Sequence, residues 1–442
     1  MIKRFYHIIS LLLLLAYSPI TQAQLFNGEE FKLDNGMRVV VVPNHKAPII
    51  KHMVWYKVGS VDEVSGKGGL AHLLEHLMFR GTTKIKGSEF NKIMEENGAE
   101  SNAFTTADFT VYHQTADISR LELLMFLEAD RMENLQISDD DFVRERDIVF
   151  QERKQRIDNN PQGFSGEEID RILWQNHSYG RPVIGTNEDI FNLTKKDAED
   201  FYRQYYAPDN AVLILAGDIE PQIAKKLAEK YYGKINKKAQ IKSENFAKLK
   251  NNIKNHIDME LPEIKSERLL ISTAAPSYNV NPKDVDALNV LAEYMGGDET
   301  AKLYKKLVLE QGVAIAVGTS YYPYARSYGE FNIGATPQKG EDLNDLLLKV
   351  RQAWDEALSE LNEENLAAVK QKMVAGLIYL RDNPETAAMI TGKMAGIGLD
   401  LSTIERQAEL INNVSIEDVR RAAKHLYSAP QIEALIRPEV IN

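Results

Sequence analysis

The distribution of apolar and polar positions predicts a chain in which short strands and amphipathic helices are interleaved. Alternating or short apolar runs bounded by turn residues predict strands at 30–43, 49–58, 211–216 and 268–274. Helical spacing of apolar positions predicts helices at 89–97, 121–134, 138–157, 167–176, 195–205 and 284–295. Residues 98–113 alternate well enough to predict a turn followed by one strand. The pattern is therefore typical of a mixed α and β protein.

The segment from Gly69 to Phe79 is apolar nearly all round a helix, which is typical of a buried helix. Its strongly polar side chains are His72, Glu75 and His76, which lie at positions i, i+3 and i+4 and share one face. Burying two imidazoles and a carboxylate together is costly unless each has a strong partner, and a metal ion is such a partner. The spacing His-x-x-Glu-His is the inverzincin signature. The alternative is a hydrogen-bonded histidine pair in an ordinary core.

A second candidate element is the helix predicted at 138–157. Glu145 and Glu152 lie two turns apart on one face of it, and Ile148 and Val149 lie between them on that side. A carboxylate on a long polar helix normally faces water, which is the simpler interpretation of Glu145. Glu152 lies on the stripe that the apolar residues would bury, so it is the stronger candidate for a buried functional acid.

Composition narrows the classes of function. The chain has 442 residues, of which 44% are hydrophobic and 26% are charged, as expected for a globular protein with substantial cores. This length suits two domains of roughly 200 residues each. The formal net charge of −11 argues against nucleic acid as a partner, because phosphate binding favours a basic surface. The sequence has no cysteine, so a metal would be held by His, Asp or Glu.

Residues 1–23 have the features of a signal peptide. Lys3 and Arg4 precede an apolar run, and Thr21 to Ala23 has the form of a small-residue cleavage site. The apolar run is short for a bilayer span, and no cysteine follows Ala23 to carry a lipid. We therefore predict export to the periplasm or out of the cell after cleavage near Ala23, with no stable membrane anchor. An uncleaved N-terminal anchor is the alternative.

A polar segment divides the rest of the chain into two predicted domains. Residues 24–231 form the first, residues 232–257 form a linker rich in Lys, Asn and Gln, and residues 258–442 form the second. The second half repeats the order of a strand followed by an apolar helix. When the two apolar helices are aligned, the three polar positions of the motif fall on Asn289, Ala292 and Glu293. The second domain is therefore predicted to lack a metal site.

Taken together, these motifs closely resemble those of the insulinase/pitrilysin family of zinc peptidases, in the bacterial form whose subunit is a single half. The resemblance is densest at 69–82, 98–112, 145–161 and 177–218. It implies an α+β fold with two related domains, each an antiparallel sheet with helices packed on one face. Such a chain is half of a clamshell that encloses peptides or unfolded segments.

The resemblance also implies roles for individual residues. His72 and His76 match the zinc-binding histidines of the family, and Glu152 matches its third ligand. Glu75 matches the general base, which takes a proton from a zinc-activated water as that water attacks the peptide carbonyl. Glu145 matches an acid that contacts the metal ligands without binding the metal itself. One zinc ion per chain is expected.

Two further residues are implied to contact substrate. Asn102 and Ala103 match an edge strand that pairs with extended peptide by β-augmentation, which reads backbone conformation more than side-chain identity. The family resemblance therefore predicts a zinc-dependent endopeptidase. The alternative is a non-catalytic structural or binding subunit of a related complex.

The chain departs from the family pattern at one place. Val308 and Ile315 stand where the family has an Arg and a Tyr that assist catalysis. Tyr322, Tyr324 and Arg326 on the following strand are possible replacements, although their spacing differs. We therefore predict a heterodimer, in which a homologous partner supplies the Arg–Tyr pair; a homodimer is the alternative.

Overall fold

The computed structural model describes residues 25–241, 246–250, 253–381 and 383–439. The predicted signal peptide, residues 1–23, lies outside the described residues. Within these ranges, every helix is too short or too polar to cross a membrane.

The first half is built on a six-stranded sheet in the order β1-β2-β6-β3-β5-β4. Its strands are β1 (Glu29–Lys32), β2 (Arg38–Pro43), β3 (Ile49–Tyr56), β4 (Glu100–Thr105), β5 (Thr110–Asp117) and β6 (Ala211–Gly217). β2 and β6 run parallel, and the other neighbours run antiparallel. β6 is buried at every position because it is central and both faces of the sheet are covered.

The helices of the first half connect and cover these strands. They are α1 (Leu70–Leu77), α2 (Gly87–Glu96), α3 (Leu121–Asn134), α4 (Asp139–Arg153), α5 (Pro161–Leu173), α6 (Asn187–Asn192), α7 (Lys195–Tyr205) and α8 (Pro221–Tyr231). Residues Lys154–Asp158 continue α4 as a π-helical turn.

The second half repeats this arrangement with one strand fewer. Its sheet has the order β7-β11-β8-β10-β9, with β7 and β11 parallel. The strands are β7 (Lys254–Leu261), β8 (Arg268–Ala275), β9 (Ala314–Tyr322), β10 (Gly329–Pro337) and β11 (Gln431–Pro438). The order matches that of the first sheet without β1, so the two halves are related, and both sheets are mixed rather than wholly antiparallel.

The helices of the second half lie mainly on one face of its sheet. They are α9 (Pro282–Gly296), α10 (Lys302–Tyr304), α11 (Leu343–Ser359), α12 (Glu363–Leu380), α13 (Pro384–Gly396), α14 (Leu401–Glu405), α15 (Gln407–Asn412) and α16 (Ile416–Ser428). Residues Lys305–Glu310 continue α10 as a π-helical segment.

Each half supplies one helix to the sheet of the other half. α13 packs on the face of the first sheet that its own helices leave open, against Trp55 and its apolar neighbours. α5 covers the corresponding face of the second sheet, where Ile169 and Leu173 contact Met259 and Ile432. The predicted α+β fold of two related sheets is confirmed, but helices cover both faces of each sheet.

Three local predictions differ from the structure. Residues 98–113 contain β4 and the start of β5, because the chain reverses at 106–109, where Thr106 Oγ1 accepts hydrogen bonds from the N–H groups of Asp108 and Phe109. The helix predicted to start at Glu167 starts at Pro161, where proline suits the first helical position and Asn160 caps the end. The predicted linker is too long, since Tyr232 is buried in the first core and β7 begins at Lys254. The domain boundaries themselves stay a prediction.

Candidate metal centre

The helix that carries the metal motif begins at a tightly constrained turn. Gly69 has φ +83°, and a Cβ there would lie 2.4 Å from the carbonyl oxygen of Ile184. The buried carboxylate of Glu63 accepts hydrogen bonds from the backbone N–H groups of Gly69 (3.1 Å) and Ala71 (2.8 Å). Glu63 therefore stabilises the N-terminus of α1. No local pattern predicts this contact, because a loop separates Glu63 from the helix.

Three side chains from α1 and α4 converge on one point. One nitrogen each of His72 and His76 and one carboxylate oxygen of Glu152 all lie within 4.8 Å of one another. Glu152 Oε2 is 3.4 Å from His76 Nε2 and 3.8 Å from His72 Nε2. Two imidazoles and a carboxylate are a donor set that zinc commonly has in catalytic sites, so the residues present fit this metal. The structure therefore brings together the three predicted ligands.

The predicted supporting acid is also in place. Glu145 is 1% exposed, so the interpretation in which it faces water is wrong. His76 Nδ1 donates to Glu145 Oε2 at 3.2 Å, and Arg80 Nη2 lies 2.6 Å from Glu145 Oε1. This bond orients the ring so that Nε2 faces Glu152. Arg156 orients Glu152 in a similar way. Its Nη1 forms an ion pair with Oε1 at 2.9 Å, so that Oε2 faces the histidines.

Electrostatics favour a cation at this point. Burial and the neighbouring His76 lower the pKa of His72, whereas the hydrogen bond from His76 lowers the pKa of Glu152. Burial opposes protonation of His76, but its bonds to Glu145 and Glu152 raise its pKa. The carboxylates of Glu145 and Glu152 therefore favour positive charge at His76, and a divalent cation bound at Nε2 would supply that charge in place of a second ring proton.

Glu75 lies beside the three ligands on the wall of the same cleft. Thr105 Oγ1 of β4 donates to Glu75 Oε2 at 2.6 Å. Burial raises the pKa of Glu75, and the bond from Thr105 opposes that shift. Sequence reasoning missed Thr105, because the local pattern predicts a strand near α1 without indicating which of its side chains reaches Glu75.

The metal centre opens into a cleft of about 1040 Å³. One wall is β4, the edge strand of the first sheet, and Asn102 and Ala103 line the cleft there. The N–H of Ala103 donates to Oδ1 of Asn102 at 2.8 Å, so a substrate carbonyl that pairs with this donor would replace the Asn102 oxygen. An edge strand with such donors can accept an extended peptide as a further strand.

The second half closes the other side of the cleft. Tyr322 is 61% exposed and, with Tyr324, lines the cleft. Ile315 and Tyr322 lie on the same strand, β9, whereas Tyr324 and Arg326 lie in the loop after it, so the prediction of a separate strand is wrong. Arg326 is held by a bidentate ion pair with Asp62, at 2.8 Å for each nitrogen, and its side chain is 7% exposed.

Comparison with family models gives two matches of one family. The model described as "Insulinase (Peptidase family M16)" matches residues 38–187, and the model described as "Peptidase M16 inactive domain" matches residues 192–373. The first match contains the metal-binding helix and Glu152. The second begins beyond these residues, in agreement with a metal site confined to the first half.

Three similar proteins illustrate the likeness. Zinc protease PqqE of Helicobacter pylori is 38% identical over 233 residues, so the match spans 52% of this chain and about half (52%) of that relative. The crystal structure of a protease from Helicobacter pylori has a TM-score of 0.85 at 26% identity and covers 94% of this chain and 100% of that one. The periplasmic protease PqqL of Escherichia coli has a TM-score of 0.78 at 16% identity, which shows the fold alone; the alignment covers 93% of this chain and 48% of PqqL.

Proposed function

The chain belongs to the insulinase family of peptidases, family M16, and on that premise we propose that it is the metal-binding subunit of a zinc-dependent endopeptidase. The observation that carries the proposal is the convergence of His72, His76 and Glu152 within 4.8 Å, beside the carboxylate of Glu75 and in a cleft bounded by an edge strand. The name of the similar zinc protease PqqE supports the choice of metal.

His72, His76 and Glu152 would hold one zinc ion through two neutral imidazoles and one carboxylate, which leaves a position open. When bound, zinc supplies Lewis-acid polarisation of the scissile carbonyl and makes water more acidic. Glu145 keeps the His76 ring in the orientation that binding requires, since its bond to Nδ1 leaves Nε2 as the donor atom.

The remaining chemistry belongs to Glu75 and β4. The Glu75 carboxylate accepts a proton from the attacking water and returns it to the leaving amine. Thr105 keeps that carboxylate in place through its 2.6 Å bond. Asn102 and Ala103 bind the extended substrate backbone along β4, so the substrate is a peptide or an unfolded segment.

A Glu75→Gln variant tests the role of the base. The amide cannot accept a proton, so hydrolysis of an unstructured peptide should fall by at least 100-fold, as expected for a general base. The variant should keep about one zinc per chain, because Glu75 is not a ligand. Glu95→Gln, an exposed acid on α2, is the matched control and should retain activity.

Loss of zinc in Glu75→Gln would make Glu75 a ligand rather than the base. Full activity of Glu75→Gln would remove it from the mechanism. A chain that binds zinc and peptide but never cleaves, alone or with a partner, would support the rival function of a non-catalytic binding subunit.

We further propose that the active species contains a homologous partner subunit. Val308 and Ile315 cannot donate hydrogen bonds to a developing oxyanion, and Arg326 is held by Asp62. The alignment with PqqL, whose chain is about twice as long, is consistent with a second half supplied by another chain. The purified chain should cleave peptides poorly alone and well when mixed with a homologue that carries the Arg–Tyr pair. A fully active homodimer would contradict this and assign the function to Tyr322 or Tyr324.

We also propose that the protein is exported and that its signal peptide is removed. An exported, periplasmic or secreted protein is supported by the pattern of residues 1–23 and by the likeness to a periplasmic protease. Mass spectrometry of the mature N-terminus should find Gln24 as the first residue. A chain that starts at Met1 in the membrane fraction would contradict cleavage.

A further inference from the structure

The buried carboxylate of Glu145 has one partner at each of its oxygens. His76 Nδ1 donates to Oε2 at 3.2 Å, and Arg80 Nη2 lies 2.6 Å from Oε1 in an ion pair. The side chain of Glu145 is 1% exposed, so its charge would be costly without a cation beside it. Arg80 therefore compensates the charge of an acid that water does not reach.

The backbone of Arg80 is held in place by its surroundings. Arg80 follows the C-terminal end of α1, and its N–H donates to the carbonyl of Leu77 at 3.0 Å. The chain then turns back, and Gly81 pairs with Lys86 in an antiparallel bridge. Gly87 packs so closely on Arg80 that a Cβ on Gly87 would lie 2.2 Å from the Arg80 carbonyl oxygen. The side chain of Arg80 therefore starts from a fixed point beside α4.

The two contacts together fix the plane of the Glu145 carboxylate. The ion pair with Arg80 occupies Oε1, so Oε2 accepts the hydrogen bond from His76 Nδ1. That bond places the ring hydrogen on Nδ1 and presents Nε2 to Glu152, at 3.4 Å. The terminal torsion of a glutamate is soft, so a carboxylate held at one oxygen only is free to rotate. Without Arg80, the ring of His76 would lose its fixed orientation.

The same arrangement occurs at the second acid of the site. Arg156 Nη1 forms an ion pair with Glu152 Oε1 at 2.9 Å, and Glu152 Oε2 faces both histidines. In each acid an arginine therefore occupies one carboxylate oxygen, and an imidazole lies nearest to the other. Arg156 contacts a metal ligand directly, whereas Arg80 is one contact further from the metal position.

We propose that Arg80 is a positioning residue of the metal centre and acts on His76 through Glu145. This inference rests on the proposed zinc-binding function and extends it to a residue that does not line the cleft. Loss of a residue that supports a metal ligand typically weakens metal binding 10–100-fold. The lower end of this range applies to Arg80, because its side chain is 35% exposed and water partly replaces it.

The same loop contains a matched ion pair at a second buried acid. Lys84 Nζ lies 3.0 Å from Asp130 Oδ1, and the side chain of Asp130, like that of Glu145, is 1% exposed. Asp130 accepts hydrogen bonds from Thr82 and Asn134 rather than from a histidine. Lys84→Gln therefore removes a similar ion pair from the same loop, and it separates a loss of stability from a loss of positioning.

Competitive titration of the full chain against a chromogenic zinc chelator measures the zinc affinity of each variant. Arg80→Gln should weaken zinc binding about tenfold, whereas Lys84→Gln should bind zinc as the wild type does. Glu145→Gln should also weaken binding. The double variant Arg80→Gln/Glu145→Gln should bind zinc no more weakly than Glu145→Gln alone, because Arg80 acts only through Glu145.

Three results would overturn the inference. Unchanged zinc affinity in a folded Arg80→Gln variant would remove Arg80 from the metal centre. An equal loss of affinity in Arg80→Gln and Lys84→Gln would assign the loss to a general loosening of the loop. A further tenfold loss on adding Arg80→Gln to Glu145→Gln would mean that Arg80 acts independently of Glu145.

The design separates this inference from the function on which it rests. A wild type that binds no zinc would overturn both together, whereas the three results above overturn the role of Arg80 alone. Arg80→Gln leaves Glu145 buried without a cation, which is destabilising. If that variant does not fold, the comparison of Glu145→Gln with the double variant still decides, since the double variant leaves no such charge.

Discussion

Gly69 occupies the point at which the metal-binding helix begins, and its backbone conformation fixes where His72 and His76 point. Its φ of +83° is rare for residues with a side chain, and the carbonyl of Ile184 lies where a Cβ would be. Gly66, three residues earlier, has a similar φ of +79° but open space around it. The two glycines therefore separate the cost of backbone strain from the cost of a steric clash.

Gly69→Ala should destabilise the chain by more than about 2 kcal/mol, because strain and clash add. Gly66→Ala should cost only about 1 kcal/mol, since strain acts there alone. Urea denaturation measures both free energies of unfolding. Equal losses in the two variants would mean that the Ile184 contact has no role in positioning α1.

The sequence predicted the metal ligands and the base better than it predicted the residues that hold them in position. His72, Glu75 and His76 follow from local spacing on one helix, and Glu152 follows from its place on an apolar stripe together with the family resemblance. Thr105 and Glu63 could not be predicted, because each contacts the motif only through tertiary structure. Hydrogen bonds between separate elements leave no periodic pattern in a sequence.

At the level of elements, α13 is the clearest case of an element whose environment is set by a distant part of the chain. It follows the second-half helix α12 along the chain but packs on the first sheet, where Gly392 lies against the Trp55 indole. A Cβ at Gly392 would be 2.1 Å from Trp55 Cε2, so the two elements touch at van der Waals distance only because this residue is glycine.

Gly392→Ala should destabilise the chain by about 1–3 kcal/mol, because the indole is fully buried and has little room to move. Gly376→Ala in α12 is the matched control, since nothing lies within 4 Å of its Cβ. That change should stabilise the chain by about 0.5–1 kcal/mol through helix propensity. Thermal unfolding of both variants gives the sign, and stabilisation by Gly392→Ala would contradict the observed packing.

Sequence patterns located many elements but could not assign their partners. Caps and proline positions account for the start of α4 at Asp139 and of α5 at Pro161. The apolar positions of α13 and α5 predict burial without saying which sheet covers them, and that is why the exchange of helices between halves was missed. The strand β7 was missed because its exposed side is highly polar.

For the whole molecule, a hydrogen-bonded cluster joins the two halves beside the cleft. Arg326 of the second half binds Asp62, and its backbone N–H donates to Asp108 Oδ2 at 3.1 Å. Tyr179 donates to both oxygens of Asp108, at 2.9 and 3.0 Å. Asp108 lies in the turn that follows β4, so this cluster also fixes one end of the substrate-binding strand.

Asp108 should make stability depend on pH. Burial raises its pKa to about 6 in the folded chain, although Arg326 opposes the shift. The pKa is about 4 in an unfolded chain, so the folded state binds the proton more tightly. The contribution is therefore present below about pH 4 and is lost as the pH rises to about 6, with a full difference of about 3 kcal/mol.

Urea denaturation at about pH 4 and about pH 7 measures this difference. Asp108→Asn should flatten the dependence relative to the wild type, whereas Asp140→Asn, an exposed acid on α4, should retain it. If stability instead rises from about pH 4 to about pH 7, and rises equally in the wild type and in both variants, Asp108 is charged throughout.

The resemblance to a known family predicted the overall fold, whereas composition alone predicted only a two-domain mixed protein.

The most direct test of the central claim is the metal content of the purified chain, measured by mass spectrometry of the elements after dialysis against excess zinc. The wild type and Asp147→Ala, which removes an exposed acid from the same helix, should each hold about one zinc per chain. Glu152→Ala should hold much less, because it loses one of three ligands. Equal zinc in Glu152→Ala and the wild type, or no zinc in the wild type, would contradict the account.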